Sequence, residues 1–155
     1  MTIEIRAASA IDGPSLQMFA CANAGERWTR GAEDIVKSDV AEAVLAGGAS
    51  LSVFVALDGQ SLVGVVAASF IQLEGLKVHV LAVAPTHRRQ GIGTDLKRRA
   101  MSEYPNVRVI SEVHRKNTAM LGLNATLNAF IDRDPDDYNY RVSVIDQGRS
   151  SFGVM

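Results

Sequence analysis

The sequence predicts a mixed α/β domain, a mostly antiparallel sheet flanked by helices, on three observations. Two β-rich runs flank Asp58-Gly59 in "LSVFVALDGQSLVGVVAASF", the signature of a tight hairpin. An apolar strand pattern from Leu76 to Val83 passes through a helical pattern into "VRVISEV", residues 107–113. A strand, a helix and a strand in that order make a local parallel pair by crossover. Finally, 155 residues at 47% hydrophobic content suffice for one domain that buries roughly 70% of its unfolded surface.

The elements follow in order. "TIEIRAA" alternates Ile3 and Ile5 with polar neighbours, which predicts a first strand. Asp12 is placed to cap a helix, Pro14 sits in its first turn, and Leu16, Phe19 and Ala20 recur at helical spacing. "ERWTRGAED" is expected to be a loop. "SDVAEAVLAGG" predicts a second helix, opened by Ser38 and closed by Gly47 and Gly48. After the hairpin and the Leu76–Val83 strand, Thr94 to Glu103 is helical, with Pro105 just past its end. "NTAMLGLNATLNAF" predicts a further helix with Met120, Leu123 and Leu127 on one face. A short strand near Phe130, a late strand from Tyr138 to Ile145 and a loose tail from about residue 147 complete a single domain over 1–155.

Composition narrows the function. The net charge is -1, which argues against binding nucleic acid through the charge of the whole protein. The basic run Lys97, Arg98 and Arg99 has no interleaved aromatics and is expected to be a solvated helix face. A single Cys21 cannot form an intramolecular disulfide and suits a reducing, cytoplasmic compartment. No His/Cys cluster has metal-ligand spacing, so no metal is expected. "MTIEIRAASA" lacks a basic stretch followed by a long apolar run, so no secretory leader is expected. The longest mostly apolar run, Leu62 to Ile71, is too short for a membrane helix.

The stretch that carries chemistry is "VLAVAPTHRRQGIGTDLKRRA", Val80 to Ala100. A helix N-terminus offers unpaired N–H groups and the positive end of a dipole. Glycines let a bulky anion approach the backbone, and Arg88 and Arg89 add guanidinium donors. Cations placed at an already positive helix start imply an anionic ligand, and the spacing suits a pyrophosphate. A Walker A loop is absent, and "GIGTDL" lacks the third glycine of a dinucleotide fingerprint.

"LAVAPTHRRQGIG" resembles the signature of the GNAT acyl-CoA-dependent N-acyltransferases: an apolar strand ending in Val-x-Pro, then [Q/R]-x-x-G-x-[G/A] opening a helix. The motif positions fall on Arg88, Gly91 and Gly93, and the resemblance spans about Ile3 to Ile145. It implies acetyl-CoA as co-substrate and a primary amine of a small molecule or peptide as acceptor. It implies that the pyrophosphate lies on the N–H groups of Arg89, Gln90, Gly91, Ile92, Gly93 and Thr94. The pantetheine arm would pair with the backbone of Leu81 and Val83 like an added strand. A backbone N–H near Leu81 or Ala82 would stabilise the tetrahedral oxyanion. A homodimer is one expected state, and no membrane is involved.

The resemblance also suggests proton carriers. In some members a His on this strand relays protons. His79 comes two residues before Leu81 and is expected on the same face, with Lys77 one step further back. An imidazole suits the role of base at neutral pH. The plain alternative is that His79 packs, with Glu74 at the strand entrance as rival base. The family often carries N-x-x-A-x-x-[LF]-Y in the next helix, where the Tyr is the usual acid for the CoA thiolate. Here "NTAMLGLN" keeps Asn117, puts Met120 for the Ala, and puts Asn124 where the Tyr would stand. Asn cannot donate that proton at neutral pH, but it can hydrogen-bond the thiolate. The acid is then water, Tyr138 or Tyr140 from the late strand, or absent. Loss of the Tyr also fits a catalytically weak acyl-CoA-binding sensor, and a nucleotide-binding module is the third reading.

Other polar residues have plainer expectations. His87 is expected in an exposed loop. His114 and Arg115 either touch the CoA 3′-phosphate or are solvated. Trp28 with Glu26, Arg27 and Arg30, and the acidic run Asp132, Asp134, Asp136 and Asp137, fall where the family walls its acceptor pocket. The acidic run either attracts a cationic amine or is a solvated turn around Pro135.

Overall fold

The structure is a computed structural model, and it describes residues 2–22, 52–134 and 139–145. Strand β1 (Ile3–Ala7) leads through a 3₁₀ turn into α1 (Gly13–Ala22). Strands β2 (Ser52–Asp58), β3 (Ser61–Ile71) and β4 (Gly75–Val83) follow, then α2 (Ile92–Ser102), β5 (Arg108–His114), α3 (Thr118–Thr126), β6 (Phe130–Asp132) and β7 (Asn139–Ile145). The predicted helix at Ser38–Gly48, the loop with Trp28, Tyr138 and the tail lie outside the described residues.

One seven-stranded sheet runs in the order β1-β2-β3-β4-β5-β7-β6. Every pairing is antiparallel except β4 with β5. This is the mixed sheet that the hairpin and the strand-helix-strand unit predict. The hairpin turns at Asp58–Ser61, where Gly59 takes φ +64, and β6 is the short strand expected near Phe130.

Each face of the sheet has its own core. Leu16 and Phe19 of α1 pack on Val53, Val55, Leu57, Val65, Ala67 and Val80. On the opposite face Ile92, Leu96, Ala100 and Met101 of α2 pack on Phe54, Val66, Leu76, Val78 and Val109 among others. Each such Val or Leu contributes roughly 1.5–3 kcal/mol by leaving water. A smaller cluster of Val113, Leu121 and Val142 seats α3 on β5 and β7. Asp12 turns back toward β1: Arg6 donates to both carboxylate oxygens at 2.8 and 2.9 Å, and the Ser9 N–H donates at 2.8 Å. Those bonds, the Arg6 contact foremost, hold its carboxyl below the usual range.

Two details of β4 set up the site. Gly75 opens the strand at φ +123, and a Cβ there would stand 2.3 Å from the Arg108 carbonyl oxygen. Only glycine lets the start of β4 approach β5 so closely. Further on, Ala67 pairs with Val80 but Ala68 pairs with Val78, so His79 is an extra residue, a β-bulge. The bulge reverses the alternation. Leu76 and Val78 point to the α2 side, Val80 and Ala82 to the α1 side, and Leu81 and Val83 to the α2 side again.

Candidate active site

The parallel β4–β5 ladder holds only at Leu76↔Val109 and Lys77↔Ile110. Beyond Lys77 the strands part, while β4 stays paired with β3 as far as Val83. From Val78 onward the β5-facing edge of β4 borders a cleft between the two strands. An extended ligand can add to such an edge through backbone hydrogen bonds. Leu81, Ala82 and Val83 lie on this stretch and are half-buried. The Val83 carbonyl also accepts from Arg88 Nε at 3.2 Å.

At the C-terminal end of β4 the chain makes a 3₁₀ turn, Pro85–His87, and then a tight loop into α2. Arg89 takes φ +65 and Gly91 φ +80. A non-glycine residue at positive φ is uncommon and concentrates at functional loops. Left-handed residues in such a loop turn successive N–H groups inward and form an anion-binding nest. Gly91 is the N-cap, no side chain caps the helix, and the Asp95 N–H donates to the Gly91 carbonyl at 3.0 Å. The N–H groups of the first turn are therefore available to a ligand. A Cβ at Gly91 would meet nothing within 4 Å, so the space before the helix is open. Arg88, Arg89 and Gln90 are exposed, Ile92 and Gly93 are buried, and Thr94 is half-buried. The helix starts at Ile92, before the predicted Thr94, because the left-handed Gly91 ends the loop there.

His87, expected in an exposed loop, is half-buried. Its Nε2 lies 2.9 Å from Asp58 Oδ2 and its Nδ1 2.8 Å from Thr86 Oγ1, with the side chain 18% exposed. It fastens the nest to the β2–β3 turn.

His79 stands at the bulge, and its Nε2 lies 2.6 Å from Ser69 Oγ. Ser69 pairs with Lys77 across the ladder, so these side chains share the α1 side of the sheet. The expectation that His79 and Leu81 share a face is corrected: the extra residue puts Leu81 on the α2 side. The expectation for Glu74 is corrected too. It sits exposed in the β3–β4 turn, before the closed end of the β4–β5 pair and seven residues from Leu81. At ~3.3 Å per strand residue that is about 20 Å away, beyond direct proton transfer.

Asn117 is the N-cap of α3, its side chain accepting from Met120 N at 3.1 Å. Asn124 is corrected from a free partner for a thiolate to a buried structural group. It is 0% exposed, its amide donates to the Met120 carbonyl at 2.9 Å, and its Oδ1 accepts from Lys97 Nζ. The solvated reading of the basic run fails at Lys97, which is 1% exposed and donates also to Ser111 Oγ at 3.0 Å. Burial pushes its pKa down to about 8. Arg99 lies over the Phe54 ring at 4.5 Å, and only Arg98 of the three is fully exposed. The signal for Lys97 was present: Gly93, Leu96, Lys97 and Ala100 repeat at helical spacing on the buried face of α2.

Tyr140 packs beside Val113, Leu121 and Val142, with Arg133 over its ring at 5.8 Å. His114 Nδ1 accepts from Lys116 N at 3.1 Å. Asp132 and Asp134 are exposed, and Asp136 and Asp137 lie outside the described residues. A separate groove of about 1040 Å³, walled by Arg98, Arg108, Phe130 and Arg141, contains none of the predicted catalytic or donor-binding residues. Among the described residues no three His, Cys, Asp or Glu side chains gather as a metal site, and no helix is long and apolar enough to cross a membrane.

The family model of the acetyltransferase (GNAT) family matches residues 16–126. This chain belongs to the GNAT family of acetyltransferases. No curated protein sequence matches it. Among solved structures, the PaiA N-acetyltransferase of Thermoplasma acidophilum, in complex with coenzyme A, is 17% identical with a TM-score of 0.73. That match covers 94% of this chain and 99% of the other. Arabidopsis thaliana NAA60, in complex with a bisubstrate analogue, is 18% identical at TM-score 0.69, covering 95% and 99%. A GNAT acetyltransferase of Streptococcus pneumoniae is 15% identical at 0.72, covering 93% and 99%. The sheet described above is thus the GNAT fold.

Proposed function

We propose that this GNAT domain moves an acetyl group from acetyl-CoA to a primary amine on a small molecule or peptide. One observation carries the reading: the uncapped start of α2, with its left-handed Arg89 and Gly91, stands at the open end of the β4–β5 cleft. The nest suits a pyrophosphate and the cleft suits an extended arm leading away from it. The residues present therefore fit acetyl-CoA; a solved NAA60 of Arabidopsis thaliana holds acetyl-CoA, and the Thermoplasma acidophilum PaiA holds coenzyme A.

The roles follow from position. Arg89, Gln90, Gly91, Ile92, Gly93 and Thr94 supply backbone N–H groups to the pyrophosphate, and Arg88 and Arg89 add charge. Leu81 and Val83 align the arm along β4. A backbone N–H at Leu81 or Ala82 stabilises the oxyanion. His79, from the α1 side, takes the proton of the attacking amine. Asn117 holds the start of α3 in place and so shapes the cleft wall. Exposed Asp132 and Asp134 favour a cationic acceptor.

The second reading is a donor-binding module with little turnover. It is favoured by Asn124, which has no phenol and whose amide is already engaged in the interior. A panel of polyamines, amino acids, aminoglycosides and basic peptides, assayed for amine-dependent thiol release, separates the two. Release with any amine, lost in Arg88→Glu, supports the enzyme. Acetyl-CoA binding without release from any amine supports the module.

A further inference from the structure

The mechanism above uses a base but leaves the departing sulfur without an acid. The one buried cation among the described residues lies beside the cleft. Lys97 is on the same face of α2 as Gly93, one turn further along. Gly93 marks where α2, α3 and β4 converge: a Cβ there would stand 2.8 Å from Leu123 Cδ1 and 3.6 Å from Val83 Cγ2. One turn deeper, Lys97 Nζ meets Ser111 of β5 and Asn124 of α3. Ser111 is the first residue of β5 past the last pairing with β4, at Lys77↔Ile110. The ammonium thus sits behind the apex of the cleft, on the side toward which Leu81 and Val83 point.

An ammonium has three donors. Ser111 Oγ and Asn124 Oδ1 accept two, and among the described residues nothing accepts the third. A side chain 1% exposed with a spare donor is costly unless something takes that bond. Among the described residues no carboxylate compensates the charge. Besides Lys97, α2 carries exposed Asp95 and Arg98, and Arg99, which lies over Phe54 and donates to Glu103; α3 has no charged residue; Arg108, Glu112 and His114 alternate onto the other face of β5. On β4, Lys77 and His79 lie on the α1 side.

We propose that Lys97, oriented by Ser111 and Asn124, protonates the sulfur of departing CoA, a role that rests on the acetyl-transfer reading above. The amine nitrogen bonds to the thioester carbonyl carbon, and the C–S bond breaks with its electron pair going to sulfur. A proton from Lys97 Nζ makes the CoA thiol and leaves Lys97 neutral. The proton lost by the attacking nitrogen passes to His79 and then to water, and water restores the ammonium. The lowered pKa of Lys97, about 8, lies near the ~8.5 of an ordinary thiol, so the transfer is close to balanced. Asn124 is a positioning residue here: it holds the donor that stands in for a phenol.

The test reads the thiol directly and needs no acceptor. Thiolate absorbance in the ultraviolet is titrated against pH for CoA free, for CoA on the wild-type protein, and for CoA on Lys97→Met and Asn124→Asp. Acetyl-CoA, which has no thiol, monitors the donor site. The wild-type complex is expected to titrate about one unit or more below free CoA. Lys97→Met, close in shape and apolar, removes that shift, and both proteins bind acetyl-CoA within about threefold of each other. Asn124→Asp keeps the lysine paired, neutralises its field and shrinks the shift, which gives a second reading if Lys97→Met does not fold. A wild-type thiol that titrates with free CoA, or a shift unchanged in either variant, overturns the role of Lys97 while acetyl-CoA binding upholds the donor site. Failure of the wild type to bind either nucleotide overturns the donor-site reading itself, and the role of Lys97 with it.

Discussion

Ser69 Oγ lies 2.6 Å from His79 Nε2, across the β3–β4 ladder at the residue where the register slips. The bulge takes His79 out of the ladder's alternation, and the serine fixes the direction of its ring. For His79 to act as base, Nε2–H donates to Ser69 Oγ and the lone pair is on Nδ1. His79→Ala is expected to lower kcat/KM by about 10²–10⁴-fold and to flatten the rise of rate with pH near neutrality. Ser69→Ala, which loosens the ring without removing it, is expected to cost less. Rate profiles from pH 6 to 9 check this, and an unchanged profile in His79→Ala removes it as the base.

Gly75→Ala is expected to be among the most damaging single-methyl substitutions in the chain. The new Cβ would fall 2.3 Å from a backbone oxygen of Arg108, at φ +123, where L residues are strained. Neither group is the movable end of a side chain. A loss of about 3 kcal/mol or more follows from combined strain and overlap, read by urea unfolding. A loss under about 1 kcal/mol would mean that β4 and β5 do not meet as closely as described.

Asp58→Ala releases the His87 clamp on the nest. The pair is partly exposed, so its contribution to stability is at most about 1 kcal/mol. Acetyl-CoA affinity is expected to fall by up to about fivefold with melting temperature nearly unchanged. His87→Ala should match it, and the double variant should be no worse than either single, since both remove one contact.

Lys97 ties stability to pH with a definite sign. Its pKa falls from the ordinary 10.5 to about 8 in the folded protein. Between those values the unfolded chain holds more protons, so stability rises with pH across that window. Relative to Lys97→Met, the wild type is expected to gain about 2 kcal/mol between pH 7.5 and 9.5. The variant is expected to equal or exceed the wild type at pH 7, since an apolar side chain of similar volume replaces an unpaired buried charge. Denaturant unfolding at the two pH values checks it, and a pH-independent difference contradicts it.

Much of this was legible in the residues, and the gaps have physical causes. Asp58-Gly59 fixed the hairpin, and Leu76–Val113 fixed the parallel pair, because turn chemistry and crossover rules are local. The Arg88–Gly93 loop was legible because cations beside glycines at a helix start have few structural uses. The bulge at His79 was hidden, since "VHVLAV" is apolar on both faces of a strand covered by helices on both sides. Burial of Lys97 is hidden because a charged residue between Asp95 and Arg98 looks solvated unless the helical phase is followed. The Lys97 partner of Asn124 comes from a helix 27 residues upstream, which no local pattern shows.

In the function proposed, the Arg88–Thr94 loop cradles the pyrophosphate of acetyl-CoA. Calorimetric titration with acetyl-CoA, and with ATP and NAD as controls, tests it most directly. One-to-one binding of acetyl-CoA in preference to ATP and NAD is expected, weakened about 10–100-fold in Arg88→Glu by loss of a charge-assisted bond. No binding of acetyl-CoA by the wild type, or equal binding of ATP, would contradict it.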